Sequence, residues 1–184
     1  MRVADLVLPE VREALRGEPA AIRALVEELH PADSADIFLA LEDEERLQFL
    51  KALPVADQVS VLEELEDELR AQTFERIAPD LAGSIAAEMS PDERADLFRA
   101  LPPAFASKIL ARLPKAEAKD LRSLLAWPEG TAGALMTTDF VALEAEMTVA
   151  EAIERIRQVA EEVETIYYAY AVSPEGSLRG VVSL

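Results

Sequence analysis

The stretch PADSADIFLALEDEERLQFLKAL, residues 31–53, decides the reading of most of this chain. Pro31 opens an apolar pattern in which Ile37, Phe38 and Leu41 face one way; after the acids Glu42 to Glu45, Leu47, Leu50 and Leu53 resume it. Apolar residues three and four apart mark amphipathic helices, so the stretch reads as two short helices with an acidic break between them. Pro suits the first turn of a helix, where its missing N–H goes unused, and it stops the helix before it.

The same grammar recurs along the chain. The dipeptides His30-Pro31, Leu53-Pro54, Ala78-Pro79 and Leu101-Pro102 stand 23, 25 and 23 residues apart. PDLAGSIAAEMSPDERADLFRAL, residues 79–101, repeats the scheme with Ile85, Met89, Leu97 and Leu101. Each Pro reads as the end of one helix and the start of the next. In SPDE, Ser90 and Glu93 have the spacing of a capping box. Two short helices cannot bury an apolar stripe alone, whereas stacked pairs can. The expectation is mainly α: a superhelical or right-angled stack of about ten short antiparallel helices.

At Trp127-Pro128 the pattern changes. FVAL (140–143) is a short β-type run. TVAEAIERIRQVAEEV (148–163) carries a capping box, Thr148 with Glu151, and a helix face of Val149, Ile153, Ile156, Val159 and Val163. TIYYAYAV (165–172) is β-branched and aromatic, SPEG (173–176) is a turn, and LRGVVSL (178–184) is a further strand. The order is β-α-β-β. A compact unit of this kind lays a final helix across its sheet, so Val181, Val182 and Leu184 read as a strand without its cover. Such an edge templates association. Either it pairs elsewhere, or the chain is a piece cut inside a domain.

Composition narrows the function. Thirty-six acids against eighteen bases leave a net charge of −18 over 184 residues, which repels nucleic acid and anionic lipid and draws cations or basic partners. No stretch approaches the roughly 18 uncharged apolar residues of a membrane span, and MRVADLVLPE has acids where an export signal needs an apolar run. With no Cys, one His, no glycine-rich phosphate loop and no nucleophile motif, nothing supplies a catalytic constellation, so the chain reads as a non-enzyme.

LMTTDFVALEAEMTVAEAIERIR (135–157) and YAYAVSPEGSLRGVVSL (168–184) resemble the first part of a CBS domain, whose repeat runs strand–helix–strand–strand–helix. The fuller string from Ala132, taken with the Pro-punctuated helices before it, resembles the cytosolic N-terminal region of MgtE-type magnesium transporters. That resemblance implies a superhelical N domain over 1–128 and an incomplete first CBS repeat over 129–184. It also implies a homodimeric membrane protein, whose own second CBS repeat, connecting helix and transmembrane pore are the partners of this region at the cytoplasmic face of the cell membrane. The implied role is regulatory: intracellular Mg²⁺, bound between acidic faces of the N and CBS domains, favours the closed pore. Gly130 stands where the family usually has an acid, and Ser173 replaces the acid common before the turn. CBS pairs often bind adenosine nucleotides between two repeats; Thr138 and Phe140 lie on the segment that would line such a cleft, but one repeat does not complete it.

Among the acids, Asp92 and Asp96 lie four apart on the helix beginning SPDERAD and share a face. By position they match a pair that the family uses at its interface, which makes them the expected Mg²⁺ ligands. Asp92 has a structural reading as well, since a carboxylate in a first turn favours the helix dipole. Glu93 reads as the capping partner. LEDEERL and EELEDEL read as solvated helix ends able to hold hydrated cations loosely. His30 reads as a helix-end residue, Tyr167, Tyr168 and Tyr170 as sheet packing and interface, and Trp127 as packing where the array meets the linker. The competing reading is a soluble protein-interaction module, since the helix pairs also resemble the stacked helices of flagellar switch proteins.

Overall fold

Helix starts set the architecture. This computed structural model describes residues 3–27, 29–160, 163 and 166–184. In it α1 (Val3–Leu15) is followed by α2 (Pro19–Val26), α3 (Pro31–Ala40), α4 (Asp43–Ala52), α5 (Val55–Glu63) and α6 (Asp67–Glu75). Then come α7 (Pro79–Glu88), α8 (Pro91–Ala100), α9 (Pro103–Leu110) and α10 (Lys115–Leu125). From α2 to α10 each helix begins 12 residues after the one before. The uneven spacing of the prolines is thereby explained: Pro31 and Pro79 are the first helical residues, whereas Pro54 and Pro102 stand one place earlier, as N-caps.

The 12-residue register also orders the core. The residue seven places after each start-flanking position is Ile37, Phe49, Val61, Thr73, Ile85, Leu97, Ile109 or Leu121 in turn, and all are buried. Eleven places on come Leu41, Leu53, Leu65, Ile77, Met89, Leu101 and Leu113, buried again at the corners between helices. The odd-numbered helices α1, α3, α5, α7 and α9 pack each on the next, and α2 packs on α4. These helices thus bury their stripes against a neighbour two places away, which is the solenoid solution to short helices.

Corners this tight leave little room for ordinary C-caps. The last four carbonyls of a helix lack partners, and a left-handed glycine commonly closes them. Among the described residues positive φ occurs only at Gly130 and Gly176, both after the last helix of the array. Side chains substitute. Arg46, Arg70 and Arg94, spaced 24 apart, are each the fourth residue of their helix. Arg46 donates to the carbonyls of Phe38 (3.0 Å) and Leu39 (2.8 Å), and Arg70 to that of Leu65 (3.1 Å). Arg94 donates to Ala86 (3.3 Å) and Ala87 (3.2 Å), while Gln58, fourth in α5, donates to Leu53 (2.8 Å). Each guanidinium closes the helix just before its own.

Chain contacts give two compact units, one of Met1–Met89 and Glu93–Trp127, the other of Ser90–Asp92 and Pro128–Leu184. In the second, β1 (Val141–Glu144), α11 (Val149–Val159), β2 (Tyr168–Val172) and β3 (Leu178–Ser183) follow in the expected β-α-β-β order. The sheet order is β1-β2-β3, with β1 and β2 parallel (Val141 opposite Ala169) and β2 and β3 antiparallel (Ala169 opposite Val182). Ser173 to Gly176 form the hairpin turn, in which Gly176 takes φ +81°.

Thr148 and Glu151 form the expected capping box on α11. The expected apolar face is half right. Ile156 and Val159 are buried with Val141, Leu143 and Ala169, and Val163 packs partly buried against them, but Val149 is 76% exposed and Ile153 is exposed as well. The helix lies on β1, and the short strand covers only the later turns. Tyr167 and Tyr168 are exposed rather than packed in the sheet; Tyr170 meets Phe140 edge-on at 5.6 Å between ring centres. Trp127 keeps half its surface open. Glu161, Glu162 and Thr165, within the stretches read as helix and strand, lie outside the described residues, as do Met1 and Arg2.

Candidate cation site

Several acids of the two acidic runs are committed to structure. In LEDEERL, Glu45 accepts from the Glu42 backbone N–H at 3.0 Å and from Arg12 at 3.2 Å. The Glu42 N–H, then Arg12, hold the Glu45 carboxyl below its usual range. Asp43 and Glu44 both pair with Arg76. In EELEDEL, Glu66 is the N-cap of α6, Asp67 pairs with Arg70 at 2.9 Å, and Glu68 accepts from Gln72. The first run ties α4 to α1 and α6, whereas the pairs given for the second lie within α6. His30 is the N-cap of α3, its Nδ1 accepting from the Ala32 N–H at 3.3 Å, which is the helix-end role expected of it.

Asp92 and Asp96 behave differently. Both lie on α8, one turn apart, so their Cβ atoms are about 5–6 Å from each other. Asp92 Oδ1 is shut off from solvent and has no hydrogen-bond partner. A buried carboxylate oxygen left unmatched costs about 1–3 kcal/mol or more, which a bound cation would recover. Asp96 is 41% exposed and accepts a 2.7 Å hydrogen bond from Arg99, whose other amino group donates to the Leu124 carbonyl at the end of α10. Glu93, between them, is turned away: its carboxylate takes the Arg70 guanidinium, tying α6 to α8. The sequence spacing gave no signal for that pairing.

Among the described residues no three His, Cys, Asp or Glu side chains converge into a metal cage. Two carboxylates one turn apart, one with an orphaned oxygen, still suit Mg²⁺, a hard cation that keeps several waters and needs only one or two protein carboxylates. They do not suit a dehydrated transition metal, which would want nitrogen or sulfur donors.

In the second unit Phe140, Tyr170, Met136, Val172 and Leu178 line an apolar recess. Ser173 does more than replace an acid: its hydroxyl donates to Glu175 at 2.8 Å and, with a backbone N–H, holds that carboxyl below its usual range. Gly130 takes φ +74°, a left-handed backbone conformation that glycine adopts without strain.

A family model described as the MgtE intracellular N domain matches residues 29–130. The chain belongs to the MgtE N-domain family. It is 45% identical over 67 residues to the magnesium transporter MgtE of Enterococcus faecalis, an overlap of 36% of this chain and 15% of that protein. To the magnesium transporter MgtE of Thermus thermophilus it is 43% identical over 65 residues, 35% of this chain and 14% of the other. The matched stretch is therefore a small part of either transporter. Two solved structures share the fold at nearly full length. The soluble part of a magnesium transporter superposes with a TM-score of 0.88 at 29% identity, covering 98% of this chain and 72% of that one. The cytosolic domain of the Mg²⁺ channel MgtE, in complex with ATP, gives 0.87 at 34% identity, covering 96% and 73%. The mainly helical MgtE architecture, with a small mixed sheet at its C-terminal end, is thus that of this chain. Among the described residues no helix is long and apolar enough to cross a membrane.

Proposed function

We propose that this chain is the cytosolic Mg²⁺-sensing region of a magnesium transporter, a regulatory rather than catalytic part. On this reading residues 1–128 are the N domain and 129–184 the first part of a CBS domain. The full protein is a homodimer at the cytoplasmic face of the cell membrane, and its pore closes when Mg²⁺ bridges acidic faces of the N and CBS domains. Asp92 and Asp96 are the proposed ligands on the N-domain side.

The orphaned Asp92 oxygen in a chain of net charge −18 carries the reading. At cytosolic ionic strength the Debye length is about 8 Å, so closely opposed carboxylates still repel. A cation that binds only the docked arrangement shifts the population towards it, by its differential affinity for the two states. Membership of the MgtE N-domain family supports magnesium as that cation. The alternative, a scaffold for a protein partner, draws on the stacked helices alone.

Limited proteolysis of the full-length protein, with and without Mg²⁺, tests the proposal. Mg²⁺ is expected to protect the wild type, and the double variant Asp92→Ala, Asp96→Ala to lose most of that protection. Equal protection in the double variant removes these two residues from the site. A wild type cut alike at all Mg²⁺ concentrations removes the sensor.

A further inference from the structure

We infer that Arg99 is a resident counter-charge that holds the affinity of the cation site down. The inference rests on the sensor reading and adds its tuning. Arg99 Nη1 donates to Asp96 Oδ1 at 2.7 Å, and Nη2 donates to the Leu124 carbonyl at 3.1 Å. Arg99 is only 15% exposed at its side chain, so the guanidinium is anchored at two ends and cannot swing out into water. One oxygen of Asp96 is occupied by Arg99, and the side chain is still 41% exposed.

The helical register separates this pair from the repeated chemistry of the array. Positions equivalent to Asp96 in α4 and α6 are Gln48 and Gln72, and those equivalent to Arg99 are Lys51 and Glu75. The recurrent arginine is instead Arg94, which already serves the α7 carbonyls and lies 3.8 Å from Asp120. The Asp96–Arg99 pair is therefore an addition to α8, not a copy of what stacks the other helices.

Its electrostatic consequence follows directly. A divalent ion at Asp96 must share that carboxylate with a fixed positive charge and accept its repulsion within a Debye length. The acid supplies attraction; the arginine sets how much remains. A weak site suits an ion that is abundant in the cytosol, because a tight one would stay saturated.

The test is a Mg²⁺ titration of protease protection in the full-length protein, comparing wild type, Arg99→Gln and Arg99→Lys, with circular dichroism to confirm that each variant folds. Arg99→Gln is expected to lower the half-saturating Mg²⁺ concentration by about three- to tenfold, as removal of one partly buried charge pair implies. Arg99→Lys keeps the charge and is expected to stay within about twofold of wild type. An unchanged or raised half-saturation in a folded Arg99→Gln overturns the inference, since a residue that merely orients Asp96 would weaken binding on removal. That result leaves the sensor reading standing if wild type is protected and the Asp92, Asp96 double variant is not. Absence of Mg²⁺-dependent protection in wild type overturns both.

Discussion

Replacing Arg70 by Met is the sharpest test of how the array is held. Its side chain is 4% exposed and bonds the Leu65 carbonyl, Asp67 and Glu93, so one guanidinium joins the end of α5, the start of α6 and α8. Methionine keeps the aliphatic stem and removes only the polar head. Asp67, 65% exposed, contributes little on its own. An unpaired Leu65 carbonyl costs about 1–3 kcal/mol. Glu93 is 37% exposed, so water re-solvates it, and the 3–5 kcal/mol typical of breaking a fully buried pair shrinks to about 1–2 kcal/mol. Arg70 Nε is itself buried without a hydrogen bond, so its removal returns about 1 kcal/mol. The net is a loss of about 2–3 kcal/mol. Urea unfolding followed by far-ultraviolet circular dichroism measures it, with Glu93→Gln and the double variant closing a cycle whose coupling is expected at about 1–2 kcal/mol. Arg46→Met, in a more exposed setting, is expected to lose less than Arg70→Met. A loss below about 1 kcal/mol for Arg70→Met, or strictly additive single variants, would refute the idea that this arginine ties three helices together.

Two further outcomes check the packing and the electrostatics. In Gly83→Ala the new Cβ would come within 2.8 Å of Arg112 Cβ, a near-backbone atom that cannot swing aside. The overlap outweighs the roughly 1 kcal/mol that alanine gains in a helix, so a net loss of about 1–2 kcal/mol in urea unfolding is expected, and a stabilised variant would show that α7 has room there. Glu45 is expected to titrate below 4.5 in a carboxyl ¹³C NMR experiment. Its folded value lies under its unfolded one, so its stabilisation is complete at neutral pH and disappears as pH falls through the folded value. Because the Glu42 N–H is the larger cause, Arg12→Ala should narrow this shift without abolishing it; a Glu45 titrating at or above 4.5 in wild type contradicts the bonding described.

Where the sequence was legible, local chemistry and tertiary demand agreed. Pro31, Pro79, Thr148 with Glu151, and the SPEG turn announce elements whose ends depend on a few adjacent residues. Ile37, Ile85, Leu97 and Leu101 declare a buried stripe by their spacing alone. Legibility failed where the answer lay in what a residue meets across the fold. Val149 has the right spacing for a core face, yet it stands 76% exposed at the start of α11. Glu93 has the spacing of a cap, and that spacing does not announce that its Oε2 also takes Arg70, 23 residues earlier. The arginines were unread for the same reason. A charged residue inside a first turn looks solvated in sequence, and only the corner geometry reveals unpaired carbonyls within its reach.

The 12-residue register offers a way to divide architecture from function within a single chain. Residues that recur at one place in successive helices, such as Arg46, Arg70 and Arg94 in α4, α6 and α8, serve the corner that recurs there, so their presence says nothing about a ligand. By this standard Asp92 is the less diagnostic of the two candidate ligands, because its equivalents in α4 and α6, Glu44 and Glu68, are acids as well. Its orphaned oxygen is what sets it apart. Asp96 is diagnostic by register, standing where Gln48 and Gln72 stand, and its described ion pair is with Arg99 on its own helix rather than with a neighbouring one. Asp120 occupies the same register in α10, but it faces Arg94 of α8 and so belongs to the stack. Asp96 also steadies Arg99 as it reaches the Leu124 carbonyl of α10, and what opens it to a cation besides is that its side chain is still 41% exposed. The case for a cation at α8 therefore comes from two residues by two independent routes, and each can fail without the other.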